Sequence, residues 1–143
     1  MREQLVDLRD RLGLQSTVTF EGPRPHDELV AVFQHANVFV LTPFIAVDGD
    51  RDGVPNVLAE AMACGVAVVV TAVGGIPDLV RHEENGLLAP PRDVEAIAGH
   101  VGDLLDDPGR RRELGAAARA TVEEGFDVRV AAEQLASLFG AGA

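Results

Sequence analysis

The 143-residue chain holds a single cysteine, Cys64, so no internal disulfide can form. Cys64 sits among small residues and reads as a packed small hydrophobe rather than a nucleophile. Long hydrophobic runs are missing as well. None reaches the roughly 18 residues that a membrane-spanning helix needs. No apolar signal core follows Met1-Arg2-Glu3-Gln4-Leu5, and with one thiol the expected compartment is the cytoplasm. Cations are scarce: 12 Lys and Arg stand against 23 Asp and Glu, a net charge of −11. That excludes sequence-independent nucleic-acid binding, which rests on Lys and Arg. The four histidines, His26, His35, His82 and His100, show no metal-ligand spacing. No G-x-G-x-x-G follows a strand; Gly74-Gly75 with Ile76-Pro77 departs from the dinucleotide fingerprint and reads as a tight turn.

What is present is an apolar fraction of 47%, enough for one globular domain with a real core. The pattern predicts a helix over 3–12 with Leu5, Leu8 and Leu12 on one face and Gly13 as its stop. A short strand Val18-Thr19-Phe20, a helix over 27–34 and a strand Val38-Phe39-Val40-Leu41 follow. This last run is continuously apolar, as in a strand buried on both faces. Then come a helix over 54–64, a buried strand Ala67-Val68-Val69-Val70, a short helix over 76–80 and a strand at Gly86–Ala89. Beyond the boundary at Pro90-Pro91-Arg92-Asp93 the chain reads as helical: 94–105, 109–123 behind Asp107-Pro108, and 128–139 behind Asp127. Residues 1–91 therefore read as a partial Rossmann-like domain, and 92–143 as helices packing on it. Alternating strands and helices imply an α/β fold with a parallel, Rossmann-like sheet and right-handed crossovers. Ligands in such sheets bind at the carboxyl ends of the strands. The loop from Thr42 to Gly53 leaves that end of a central strand.

The segment after this loop carries the chemistry. Asp52 and Glu60 close a nine-residue stretch containing Gly53, Val54, Pro55 and Asn56. Asp52 is a candidate N-cap, and Pro55 belongs in a first helical turn, where its missing N–H costs nothing. Val57, Leu58, Ala61 and Met62 recur at helical spacing, and Gly65 suits the C′ position. The helix start offers unpaired N–H groups to an anion. Glu60, projecting from the same helix, can accept hydroxyl hydrogen bonds. On spacing alone, a capped amphipathic helix with a solvated glutamate is an equally open reading.

Five ordered segments decide between these readings. They are Val18–Gly22, Ala36–Pro43, Asp52–Gly65, Val73–Val80 and Asn85–Pro91, followed by Leu104–Pro108 and an alanine-rich helix running to Phe126. Together they resemble the carboxyl-terminal domain of the GT-B glycosyltransferases of family 4, the "glycosyl transferases group 1" type. The Asp52–Gly65 segment matches that family's E-x7-E motif. The resemblance implies that Glu60 binds the ribose of a nucleotide-sugar donor and that Asp52 faces the sugar. Gly53, Val54, Pro55 (through its carbonyl) and Asn56 would line the sugar and diphosphate. Glu21 and Gly22 would lie near the base. It further implies transfer with retention of configuration, with front-side departure of the nucleotide diphosphate and no bound metal or other cofactor. The donor would be a UDP-, GDP- or ADP-sugar, and polysaccharide assembly a fitting role.

Two departures stand out. The first motif position is Asp52 rather than Glu, one methylene shorter with the charge kept. More seriously, the family's opening strands, with the Gly-Arg loop and lysine that neutralise the diphosphate, have no counterpart before Met1, nor has the acceptor-binding domain. The chain therefore reads as an amino-terminally truncated fragment, inactive alone, with a missing acceptor domain as its partner. Any peripheral membrane contact would fall to that missing half. Arg24 and Arg51 are the nearest candidates in sequence for a substitute cation, and both read first as solvated loop residues. Two rivals remain. One is a non-catalytic or relic α/β interaction domain. The other is a calcium loop through Asp48, Asp50 and Asp52. Against the latter, the carboxylate expected six residues after Gly53 falls on Ala59; Glu60 is one residue late, a rotation of about 100° on a helix.

Overall fold

The computed structural model describes residues 2–44 and 53–125. The calls on Asp48, Asp50, Arg51 and Asp52, on the helix over 128–139 and on Phe126 lie outside the described residues. The elements run α1 (Arg2–Arg11), α2 (His26–His35), β1 (Val38–Leu41), α3 (Asn56–Ala63), β2 (Ala67–Thr71), α4 (Ile76–Leu79), β3 (Leu87–Ala89), α5 (Val94–Asp106) and α6 (Pro108–Gly125). The three strands form a parallel sheet in the order β1-β2-β3. Val38 is paired with Ala67 and Val69 with Leu87.

β2 organises the core. All five of its residues are buried, and alternation sends them to opposite faces. Val68 and Val70 join Leu58 and Met62 of α3, Ile76 and Leu79 of α4, and Ala118 of α6. Ala67 and Val69 join Leu87, Leu104 of α5 and Leu114 of α6. A third cluster, of Phe33, Ala61 and Val66 with Leu29 and Val57 beside them, locks α2 against α3.

The helix boundaries have local causes. After α3, Gly65 adopts φ 74°. Its N–H donates to Met62, and that of Val66 donates to Ala61, a Schellman stop. The Asp93 carboxylate caps α5 by accepting from the Ala96 N–H at 3.0 Å, and Asp107 does the same for α6 through Arg110 at 2.9 Å. α6 crosses hard against the turn after α3. A Cβ added to Gly115 would lie 2.2 Å from the Gly65 carbonyl oxygen, so only glycine fits there.

Three expectations are corrected. Val18-Thr19-Phe20 is not a strand. The Thr17 and Val18 N–H groups turn back to the Leu14 carbonyl, and among the described residues β1 bonds only to β2. Among the described residues β1 is thus an edge strand rather than a central one, and its residues are half-buried, with Val40 42% exposed. α3 begins later than expected. Pro55 is its N-cap, with ψ 126° and no side-chain cap, so Asp52 is three residues too early for that role.

Candidate functional site

The loops leaving the carboxyl ends of the three strands are tied to one another. The buried Thr71 hydroxyl, at the end of β2, donates to the Pro43 carbonyl beyond β1 at 2.6 Å. The turn after β2 bears on the peptide that enters α3: a Cβ on Gly75 would meet Val54 N and Cγ2 at 3.3 Å and Gly53 C at 3.4 Å. Beyond β3, the Arg92 guanidinium lies 5.3 Å from the Phe44 ring centroid. Arg92 holds a left-handed φ of 67° while doing so.

Gly53, Val54, Pro55 and Asn56 are therefore fixed from two sides. Val54 packs into the core, and Gly75 closes on the backbone. The Leu58 N–H donates to the Pro55 carbonyl at 2.9 Å. The N–H groups of Asn56 and Val57, in the first turn, have no intrahelical acceptor. Among the described residues no side chain caps this helix start, which leaves its N–H groups suited to an anion.

Glu60 stands one turn further along α3, its side chain 34% exposed. It borders an open depression of about 330 Å³ with Asn56, Ala59, Ala63 and Val122. A larger opening, about 630 Å³, is lined by Glu83, Glu84 and the start of α6. It lies beside the loop entering β3, at the amino ends of the strands and so on the wrong edge for a ligand of this fold.

Glu21 and Gly22 belong to the loop before α2. Gly22 takes φ 78°. The Arg24 guanidinium pairs with Glu21 and, at 3.3 Å, with Glu28. The hydrogen bond to Glu21 is the main cause that pushes Arg24 above its already high ordinary pKa range. Arg24 is thus engaged by carboxylates and clamps its own loop. The loop delivers His26, whose Nδ1 lies 3.7 Å from Glu60 Oε2. Asp52 lies outside the described residues, so the structure unites Gly53–Asn56 and Glu60 but gives no position for the carboxylate expected to face a sugar.

Sequence reasoning missed His26, Arg92 and Phe44 as neighbours of this edge. No local pattern announces them, because each meets its partner across the sheet or between helices. Among the described residues, no group of three His, Cys, Asp or Glu side chains could hold a metal ion. No described helix is long and apolar enough to cross a membrane.

The family profile of the Glycosyl transferases group 1 matches residues 1–121. The chain belongs to this family. AmsK of Erwinia amylovora, an amylovoran biosynthesis glycosyltransferase, is 37% identical over 125 residues, which cover 87% of this chain and 31% of the relative. Among solved structures, sucrose-phosphate synthase from Thermosynechococcus elongatus is similar with a TM-score of 0.82 and 35% identity, over 98% of this chain and 34% of that one. Anabaena HepE in complex with UDP-glucose is similar with a TM-score of 0.83 and 27% identity, over 97% of this chain and 36% of HepE. The chain thus spans about a third of the length of these similar proteins. Its parallel sheet with flanking helices matches the carboxyl-terminal half of their GT-B fold.

Proposed function

We propose that this chain is the donor-binding part of a retaining, metal-independent glycosyltransferase that uses a nucleotide diphosphate sugar. The observation that carries the reading is the uncapped start of α3 with Glu60 one turn behind it, at the carboxyl edge of the sheet. The first-turn N–H groups receive the diphosphate, and Glu60 accepts hydrogen bonds from the ribose hydroxyls. Each charge-assisted bond of that kind contributes roughly 1.5–3 kcal/mol. Asp52 faces the donor sugar, and Glu21 and Gly22 border the base. HepE, a neighbour in fold, binds UDP-glucose, which supports a donor of this class. The nucleotide diphosphate leaves from the face that the acceptor enters, and no resident cofactor takes part. The setting is the cytoplasm, in polysaccharide assembly.

A helix start contributes only about 0.3–1 kcal/mol toward an anion. Of the two candidate cations, Arg24 is held by Glu21 and Glu28, and Arg51 lies outside the described residues. The chain alone therefore binds nucleotide weakly and transfers no sugar; the acceptor is held by a further domain. Calorimetric titration with UDP, GDP and ADP tests this, with Glu60→Ala beside the parent chain. One nucleotide should bind, with loss of at least about tenfold in affinity in the variant. Equal binding by Glu60→Ala, or sugar transfer by the purified chain, would sink the reading.

A further inference from the structure

We infer that His26 is a specificity residue of the donor site, reading the ribose hydroxyls together with Glu60. This rests on the ribose-binding role proposed for Glu60.

The two groups come from different helices held in fixed relation. Phe33 and Leu29 of α2 pack with Ala61 and Val57 of α3. The loop before α2 is shaped by the left-handed Gly22 and by the Arg24 clamp on Glu21 and Glu28. His26 is consequently held at the first position of α2, behind Pro25. Its imidazole is 71% exposed and faces the Glu60 carboxylate at 3.7 Å.

That separation is the informative quantity. It exceeds the roughly 2.7–3.2 Å of a direct hydrogen bond, so neither group satisfies the other. It is short enough for one hydroxyl, or the neighbouring hydroxyls of a cis-diol, to bond to both. The chemistry is complementary. An ionised carboxylate only accepts, an imidazole with its proton on Nδ1 donates, and a hydroxyl does both. Glu60 alone could take the hydroxyl protons but would leave the oxygen lone pairs to water. A site that hydrogen-bonds a hydroxyl on both sides discriminates against an analogue that lacks it. The ligand class selected is a ribonucleotide over its 2′-deoxy counterpart.

The test follows the imidazole carbon–proton signals of the whole chain by NMR. The probes are millimolar UDP, GDP and ADP and their 2′-deoxy counterparts. The His26 signal is assigned by its absence in His26→Ala. It should move with a ribonucleotide and much less with the deoxy form, while His35, His82 and His100 stay still. His26→Ala should lower the ribo/deoxy affinity ratio about 3- to 10-fold, and His26→Asn, with an amide donor near Nδ1, should restore part of it. If Glu60→Ala removes nucleotide binding while His26→Ala leaves the ratio unchanged, the inference falls and the donor-site reading stands. If no nucleotide moves any signal, or Glu60→Ala leaves the ratio intact, both fall.

Discussion

The chain is built differently before and after the start of α3. From α3 onward the chain is layered: β2 is wholly buried, and Leu58, Met62, Ile76 and Leu104 are sealed around it. Before α3, the chain is loosely covered. α1 has no buried residue, and Leu5, Leu8 and Leu12 are 45%, 42% and 60% exposed. β1 is paired on one side only among the described residues. Among the described residues, an apolar stripe and an apolar strand edge are thus presented without cover. The difference teaches where the fold's stability resides and where its ligand chemistry sits. The proposed donor site lies on the seam, with His26 from the thinner side and Glu60 from the thicker.

The sharpest way to break that contrast is a matched pair of truncations. Leu58→Ala empties a fully buried position in the main cluster and should cost about 2–5 kcal/mol in denaturant unfolding. Leu8→Ala, equally apolar in sequence, should stay within about 0.5 kcal/mol. Comparable losses would mean that α1 is packed in solution as tightly as α3.

A polar contact tests the same layered side. Asn85 is buried. Its amide donates to the Leu79 carbonyl at 3.1 Å and to Thr121 Oγ1 at 3.0 Å, and its oxygen accepts from the Arg81 N–H at 2.7 Å. One side chain thus ties α4, the turn before β3 and α6. Asn85→Ala leaves those partners unpaired in the interior and should cost about 1–3 kcal/mol. Asn85→Asp, which keeps the acceptor and loses the donors, should recover only part.

How much of this was legible in the sequence follows from how local each cause is. The Ala67–Thr71 run announced its strand because β-branched residues filled both faces. Gly65 announced the end of α3 because the C′ position asks for a left-handed residue. The start of α3 was misread because proline fixes φ but not ψ, and the N-cap and the first helical position differ in ψ. Val18-Thr19-Phe20 was misread because three residues carry too little periodicity to separate strand from coil. Within the candidate site, Glu60 and Gly53–Asn56 were readable as one helix start. His26 was not: its meeting with Glu60 depends on how α2 packs on α3. The buried role of Asn85 was not legible either, since its partner Thr121 is 36 positions away.

The uncovered strand edge offers a third, smaller test. An apolar edge with unpaired backbone groups invites pairing between chains. Val40→Lys, at an exposed position of β1, should shift sedimentation or light scattering toward the monomer while changing stability by less than about 0.5 kcal/mol. An unchanged mass distribution would show that the β1 edge does not drive association.

The smallest expected effect on stability falls on the loop before α2, where the thinner side meets the site. Arg24, Glu21 and Glu28 are all substantially exposed, and exposed ion pairs contribute about 0–1 kcal/mol. Arg24→Ala should therefore leave the unfolding midpoint nearly unchanged. Its consequence belongs to geometry: without the clamp, the turn through Gly22 loses the contact that fixes the approach to His26. The imidazole signal of His26 should sharpen toward that of a freely rotating side chain, and nucleotide should move it less. Loss of the His26 response with the unfolding midpoint intact would separate what positions the site from what holds the fold together. An unaltered response would assign His26's placement to the packing of Phe33 and Leu29 on α3 alone.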